Sequence, residues 1–161
     1  MRLKIKDPLP DTEIFQLVDG EPIKSKLRET IGNGKIVLFG LPGAFTSTCS
    51  KLHLPGFVAN ADKIKAKGIK NIFCLSVNDP YVMNAWGEIN NTGNKIKMLS
   101  DPYLLFTKAI GAEVDRNAKG MGIRSNRYLM VIENSTVVNI HVEKETKECG
   151  LTSAESLLDN F

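Results

Sequence analysis

Apolar residues along the chain fall into two kinds of run. Lys35 to Leu41 (KIVLFGL) and Asn71 to Val77 (NIFCLSV) are short, unbroken and rich in β-branched and aromatic side chains, the composition of buried strands. Ser50 to Lys67 and Pro80 to Asn91 instead carry apolar positions at helical spacing, as do Tyr103 to Ile110 and Ser153 to Leu158. Tyr128 to Glu133 and Thr136 to Val142 read as a hairpin across Asn134-Ser135. The order is strand, helix, strand, helix, strand, helix, paired strands and a last helix. This alternation predicts an α/β fold, a sheet covered by helices on both faces. No repeat, linker or low-complexity stretch interrupts it, so one domain over residues 1–161 is expected.

Composition narrows the class. A hydrophobic fraction of 42% and a charged fraction of 24% match soluble globular chains and exclude disordered, collagen-like and disulfide-scaffold proteins. The net charge of +3 arises from 21 basic and 18 acidic residues mixed along the chain, too little and too dispersed to imply nucleic acid. The densest basic run, KIKAKGIK from Lys63 to Lys70, reads as the solvated end of an amphipathic helix. No apolar stretch approaches the roughly 18 residues of a spanning helix, and MRLKIKDPLP lacks the apolar middle of a secretory signal. The expectation is an intracellular chain without a membrane partner: cytoplasmic, or mitochondrial or plastid if a targeting segment has been removed. The triplets Asn90-Asn91-Thr92 and Asn134-Ser135-Thr136 are then irrelevant to glycosylation. Cys49, Cys74 and Cys149 are odd in number and widely spaced, which suits a reducing compartment.

Cys49 changes the picture most. The chain leaves the strand ending at Leu41, turns through Pro42-Gly43, and enters a helix near Cys49 behind three candidate N-caps, Thr46, Ser47 and Thr48. A helix start presents unpaired N–H groups and partial positive charge, which bias a cysteine toward thiolate. Free cysteines are often only small buried hydrophobes. Position at the carboxyl end of a sheet strand shifts the balance toward a nucleophile. Thioredoxin-type dithiol chemistry wants Cys-x-x-Cys, but Leu52 follows by three and Thr46 precedes by three. A cysteine protease needs a histidine base, and only His53 and His141 exist. His53 lies four residues beyond Cys49 on the same helical face, with Pro55 expected to kink the helix at once. Packing or hydrogen bonding is the expected role of His53. Cys49 and His53 have no further ligands at metal-site spacing, so no metal or organic cofactor is expected.

The run Pro42-Gly43-Ala44-Phe45-Thr46-Ser47-Thr48-Cys49 resembles the peroxiredoxin signature Pro-x-x-x-Thr-x-x-Cys. CSKLHLPGF, CLSVNDPYVMNAW, SDP and RSNRYLMVIENSTV, from Cys49, Cys74, Ser100 and Arg124, extend the likeness in order to the type II, atypical subgroup. The resemblance implies a thioredoxin-like fold with a central mixed sheet, and a thiol peroxidase. Cys49 matches the peroxidatic cysteine, Thr46 and Pro42 the residues shaping its pocket, and Arg127 the arginine completing the site, with Arg124 its rival. The chemistry calls for such a set. A thiolate attacks one peroxide oxygen while negative charge moves to the other, and a permanently charged guanidinium with five donors holds both partners. A fixed donor aimed at developing charge is often worth about 2.7 to 4 kcal/mol.

Attack leaves a sulfenic acid that a second thiol must reduce. Where one branch of the subgroup carries its resolving cysteine, this chain has Ser153, with Cys149 four residues earlier. Another branch uses the position of Cys74, here in an apolar strand. The expectation is a one-cysteine mechanism with an external thiol, glutathione with glutaredoxin or thioredoxin, Cys74 being the runner-up resolver. A redox sensor or holdase is the alternative reading. The resemblance further implies a homodimer packed near the active-site turn, through Phe45 and Asn78 to Trp86. Where relatives place proline after the threonine, this chain has Ser47.

Overall fold

The computed structural model describes residues 1–160. The chain opens with a hairpin that periodicity does not reveal: β1 (Glu13–Val18) and β2 (Glu21–Lys26) pair antiparallel across Asp19-Gly20, both at positive φ. β2 is almost wholly exposed, so its sequence EPIKSK carries no apolar alternation. After the short α1 (Leu27–Ile31) come β3 (Lys35–Gly40), α2 (Leu54–Ala66), β4 (Asn71–Ser76) and α3 (Pro80–Ile89). The Asp79 carboxylate accepts the Val82 N–H at 3.0 Å and Pro80 opens α3, two start signals in one turn. β5 (Lys97–Ser100) supplies the third strand of the alternation.

The helix expected over Tyr103 to Ile110 is shorter, α4 (Leu105–Ala109). Leu104 sits in the left-handed region at φ 60°, and the buried Asp101 carboxylate accepts the N–H groups of Phe106 and Thr107 at 3.2 and 2.8 Å, which starts the helix late. A small antiparallel ladder of β6 (Glu113–Asp115) and β7 (Ile123–Ser125), too short for sequence periodicity, follows. β8 (Tyr128–Glu133) and β9 (Thr136–Val142) form the expected hairpin, with Asn134 and Ser135 at φ 47° and 62°. α5 (Ala154–Asp159) starts on Ser153, whose hydroxyl accepts the Ser156 N–H at 3.1 Å.

Seven strands form one sheet in the order β2-β1-β5-β4-β3-β8-β9. β3 runs parallel to β4 and antiparallel to β8, so the sheet is mixed, as expected. Val37 and Phe39, Ile72 and Cys74, and Leu129 and Val131 face the apolar sides of α2, α3 and α5. Their alternates Ile36, Leu38, Phe73, Leu75, Met130 and Ile132 face α1 and α4. Burial on both faces is why these strands read as unbroken apolar runs.

The β3–β8 register carries the site. Gly40 is opposite Tyr128, which places Arg127 at the same sheet end as the turn following β3. Gly40 makes that register possible, because any Cβ there would overlap the ring of the fully buried Tyr128. Gly40→Ala is therefore expected to lower stability by about 1–3 kcal/mol, the usual cost of overpacking, read as a lower urea midpoint.

Candidate active site

Helical structure starts at Ser47 and runs without a break to Ala66, but Cys49–His53 is a π-turn. The Leu54 N–H donates to the Cys49 carbonyl, and Pro55 follows with no N–H to give. A proline ring also crowds the carbonyl four residues back, and a widened turn relieves that contact. The expected kink at Pro55 is thus accommodated as a bulge in the preceding turn. None of the three candidate caps bonds through its side chain in the expected way. The Thr46 carbonyl accepts the Ser50 N–H at 2.9 Å, while its hydroxyl donates back to the Gly43 carbonyl at 2.7 Å. The Thr48 hydroxyl donates to Lys147 O at 3.3 Å. Ala44 is fixed by its N–H to Asn78 Oδ1 at 2.9 Å, which ties the turn to the end of β4.

Arg127 meets this turn from the opposite strand. Its guanidinium is 1% exposed; Nη2 donates to Cys49 Sγ at 3.3 Å and to Thr146 O at 2.9 Å, and Nη1 donates to His53 Nδ1 at 2.8 Å. Among the described residues no carboxylate lies within ion-pair distance of Arg127. A buried cation needs compensation, and Cys49 sulfur is its one contact able to carry negative charge. Arg124, the rival, has no hydrogen bond to Cys49 and holds the turn instead: Nε donates to Met121 O at 2.8 Å and Nη1 to Pro42 O at 3.5 Å.

His53 is fixed from both sides. A carbonyl only accepts, so Nε2–H donates to Thr152 O at 2.9 Å, which leaves the Nδ1 lone pair for Arg127. Both contacts select one neutral tautomer. Burial between Phe39 and Phe57, and then the Arg127 charge, push the imidazole down to about 3, against the bond to Thr152. Glu143, 3% exposed, accepts Thr152 N–H and Oγ–H at 2.9 and 3.0 Å, and its own N–H donates to Arg127 O at 3.0 Å. Glu143, Thr146 and Thr152 are absent from the sequence reading. Glu143 closing an apolar strand is the one local sign of them.

Pro42, Thr46, Arg127 and Thr146 line a cavity of about 120 Å³. Cys49 is not on its wall: it is 1% exposed and hydrogen-bonded to Arg127, which is. Sequence reasoning therefore names four residues that the fold brings together. A larger cavity of about 400 Å³, between β1 and α3, holds none of them.

The Redoxin family matches residues 4–158. Peroxiredoxin-2D of Arabidopsis thaliana is 39% identical over 157 residues, covering 97% of this chain and 96% of its own length. Peroxiredoxin-2C of Oryza sativa subsp. japonica is 41% identical over 159 residues, covering 96% and 95%. The chain belongs to the type II peroxiredoxins. Reduced Prx3 of Vibrio vulnificus in complex with H2O2 superposes on this peroxiredoxin with a TM-score of 0.92 at 41% identity, covering 98% of each chain. A peroxiredoxin is a thiol peroxidase, an oxidoreductase that acts on peroxide and takes electrons from a reductant.

Neither of the other two thiols of the peroxiredoxin is hydrogen-bonded to Arg127. Cys74 in β4 is fully buried, and burial followed by the charge of Cys49 pushes its thiol well up. Cys149 is partly buried, and burial pushes its thiol up against the pull of Arg127.

Neutral His53 gives the peroxiredoxin a pH signature. Its folded value lies below the unfolded 6.5, so the unfolded chain binds the proton first and stability falls as pH drops from 6.5 toward about 3. The slope from this one group is about 1.4 kcal/mol per pH unit. Urea unfolding between pH 7 and 4 is expected to show a shallower slope in His53→Gln than in the unmodified chain.

Proposed function

We propose that Cys49 is the peroxidatic residue, with Arg127, Thr46 and Pro42 completing its site. The observation that carries this reading is the buried Arg127 guanidinium, without a carboxylate partner among the described residues, donating to Cys49 Sγ at 3.3 Å. The thiolate attacks one peroxide oxygen; the S–O bond forms, the O–O bond breaks, and the departing oxygen leaves as water or an alcohol after taking a proton. Arg127 opposes the charge on sulfur before attack and on the departing oxygen during it. The proton of Thr46 is committed to Gly43 O, so its oxygen accepts a peroxide O–H and aligns the molecule. Pro42, buried and without an N–H, shields the sulfur from water.

The resulting sulfenic acid is reduced by an external thiol, glutathione with glutaredoxin or thioredoxin. Supporting this one-cysteine reading, an attacking sulfur must be a thiolate, and burial holds both Cys74 and Cys149 toward the thiol. Cys74 also sits within β4, in register with Phe39 and Met98, so a bridge to Cys49 would have to form from a strand paired on both sides. The protein acts as a homodimer across the active-site turn. Phe45 and Tyr81, 55% and 56% exposed, are the apolar groups a second copy covers, whereas Met83 and Trp86 from the same stretch are buried at 1%.

The single tryptophan, Trp86, donates to Ser50 Oγ at 3.1 Å, beside Cys49, so its emission is expected to change on oxidation of Cys49. Cys49→Ser is expected to abolish turnover. Arg127→Lys and Arg127→Gln are expected to slow oxidation by roughly 10²- to 10³-fold in stopped flow, with far-ultraviolet circular dichroism checking the fold. Mass spectrometry after one equivalent of peroxide is expected to show one added oxygen on Cys49, and a crosslink to Cys74 or Cys149 would overturn the one-cysteine step. Turnover with glutathione and glutaredoxin, compared against thioredoxin, identifies the reductant. Ser47→Pro is expected to retain activity, since no hydrogen bond from the Ser47 N–H would be lost.

A further inference from the structure

The cavity beside Arg127 is charged in one sense only. Arg116, Lys119 and Lys147 join Arg127 on its wall, and no Asp or Glu does. Two of these four cations are already engaged. Arg127 is turned to Cys49, His53 and Thr146, and Lys147 pairs with Glu145 at 3.0 Å. Arg116 and Lys119 remain, and neither side chain has a hydrogen-bond or ion-pair partner among the described residues. The Arg116 Nε is buried and unpaired, an arrangement rare in folded proteins without a ligand or water to satisfy it.

Both cations sit on the tip of the β6–β7 hairpin, which is held by its own backbone. The Arg116 N–H donates to Gly122 O at 2.9 Å, and Arg116 O accepts from Lys119 N and Met121 N at 2.9 and 3.3 Å. Gly120 and Gly122, at φ 67° and 68°, close the turn. A fixed guanidinium fork matches a carboxylate in two parallel hydrogen bonds. At roughly 30 Å³ per water, the cavity of about 120 Å³ exceeds what a peroxide alone fills.

We propose that Arg116 and Lys119 form a carboxylate-binding subsite that holds the resolving thiol beside oxidised Cys49, selecting a small thiol with net negative charge such as glutathione. This rests on the external-thiol reading above. The step balances: the incoming sulfur attacks the Cys49 sulfenic sulfur, an S–S bond forms, and the S–O bond breaks to release water. A second equivalent of the same thiol then frees Cys49 as the thiolate and leaves as the symmetric disulfide.

Two rate ratios test the proposal, measured in the unmodified chain and in the double variant Arg116→Gln/Lys119→Gln. The first compares alkylation of reduced Cys49 by iodoacetate and by iodoacetamide, of similar shape and differing in charge. A ratio cancels any change in the reactivity of the sulfur itself. The second compares reduction of the sulfenic acid by glutathione and by its neutral-carboxyl diethyl ester. Each ratio is expected to fall about tenfold in the double variant, and to fall likewise with added salt in the unmodified chain. An unchanged alkylation ratio would overturn the subsite. A changed alkylation ratio beside an unchanged thiol ratio would overturn its use by the resolving thiol. If glutathione fails to reduce the unmodified chain and a Cys49 crosslink appears by mass, the external-thiol reading itself has failed and this inference falls with it.

Discussion

A guanidinium sealed from water without a carboxylate is the constraint on which the site depends. The desolvation of an unpaired buried cation costs several kcal/mol, and hydrogen bonds to neutral groups offset only part of it. Arg127 has two neutral acceptors, His53 Nδ1 and Thr146 O, and one that becomes anionic, Cys49 Sγ. In the role proposed for Cys49, negative charge on that sulfur is the compensation the buried arginine otherwise lacks. The surrounding fold keeps other anions away. Glu143, the nearby buried carboxylate, turns both its accepted bonds toward Thr152 instead.

That arrangement needs parts distant in sequence to hold one another. Gly40 admits the Tyr128 ring, the register so fixed brings Arg127 to the Cys49 turn, and the backbone of Arg127 anchors Glu143. Glu143 orients Thr152, whose carbonyl accepts the His53 Nε2–H and leaves the lone pair of the other ring nitrogen for Arg127. The circuit closes only if His53 is neutral. A protonated imidazole would donate from both nitrogens and set two cations against each other. Burial and the arginine charge both act in the required direction.

Much of this was legible in the sequence where one physical signal dominates. The unbroken runs Lys35–Leu41 and Asn71–Val77 report burial on two faces, and the turn positions of Cys49 and Pro42 report a helix starting at a strand end. Arg127 is different: nothing local distinguishes it from a surface charge at a strand start, and it was found through resemblance alone. Glu143, Thr146 and Thr152 were missed because their role comes from β-sheet register and a folded-back loop, neither of which leaves a period. The β1–β2 hairpin and the β6–β7 ladder leave no readable alternation either, β2 being exposed and β6 and β7 too short. The π-turn was half visible, since Pro55 announced a disturbance whose form only the three-dimensional packing decides.

The three cysteines show how position alone divides their chemistry. All feel the same arginine to some degree, yet only Cys49 touches it. Cys74 shares the apolar layer of Cys49 and lies in a central strand paired on both sides, with β3 and β5. Cys149 lies on the loop whose Thr146 carbonyl accepts from Arg127, so its approach to Cys49 would move a group that holds the guanidinium in place. On the proposed external-thiol route, a diffusible thiol arriving through the cavity would leave that geometry intact, and the unpaired cations on the cavity wall would favour an anionic one.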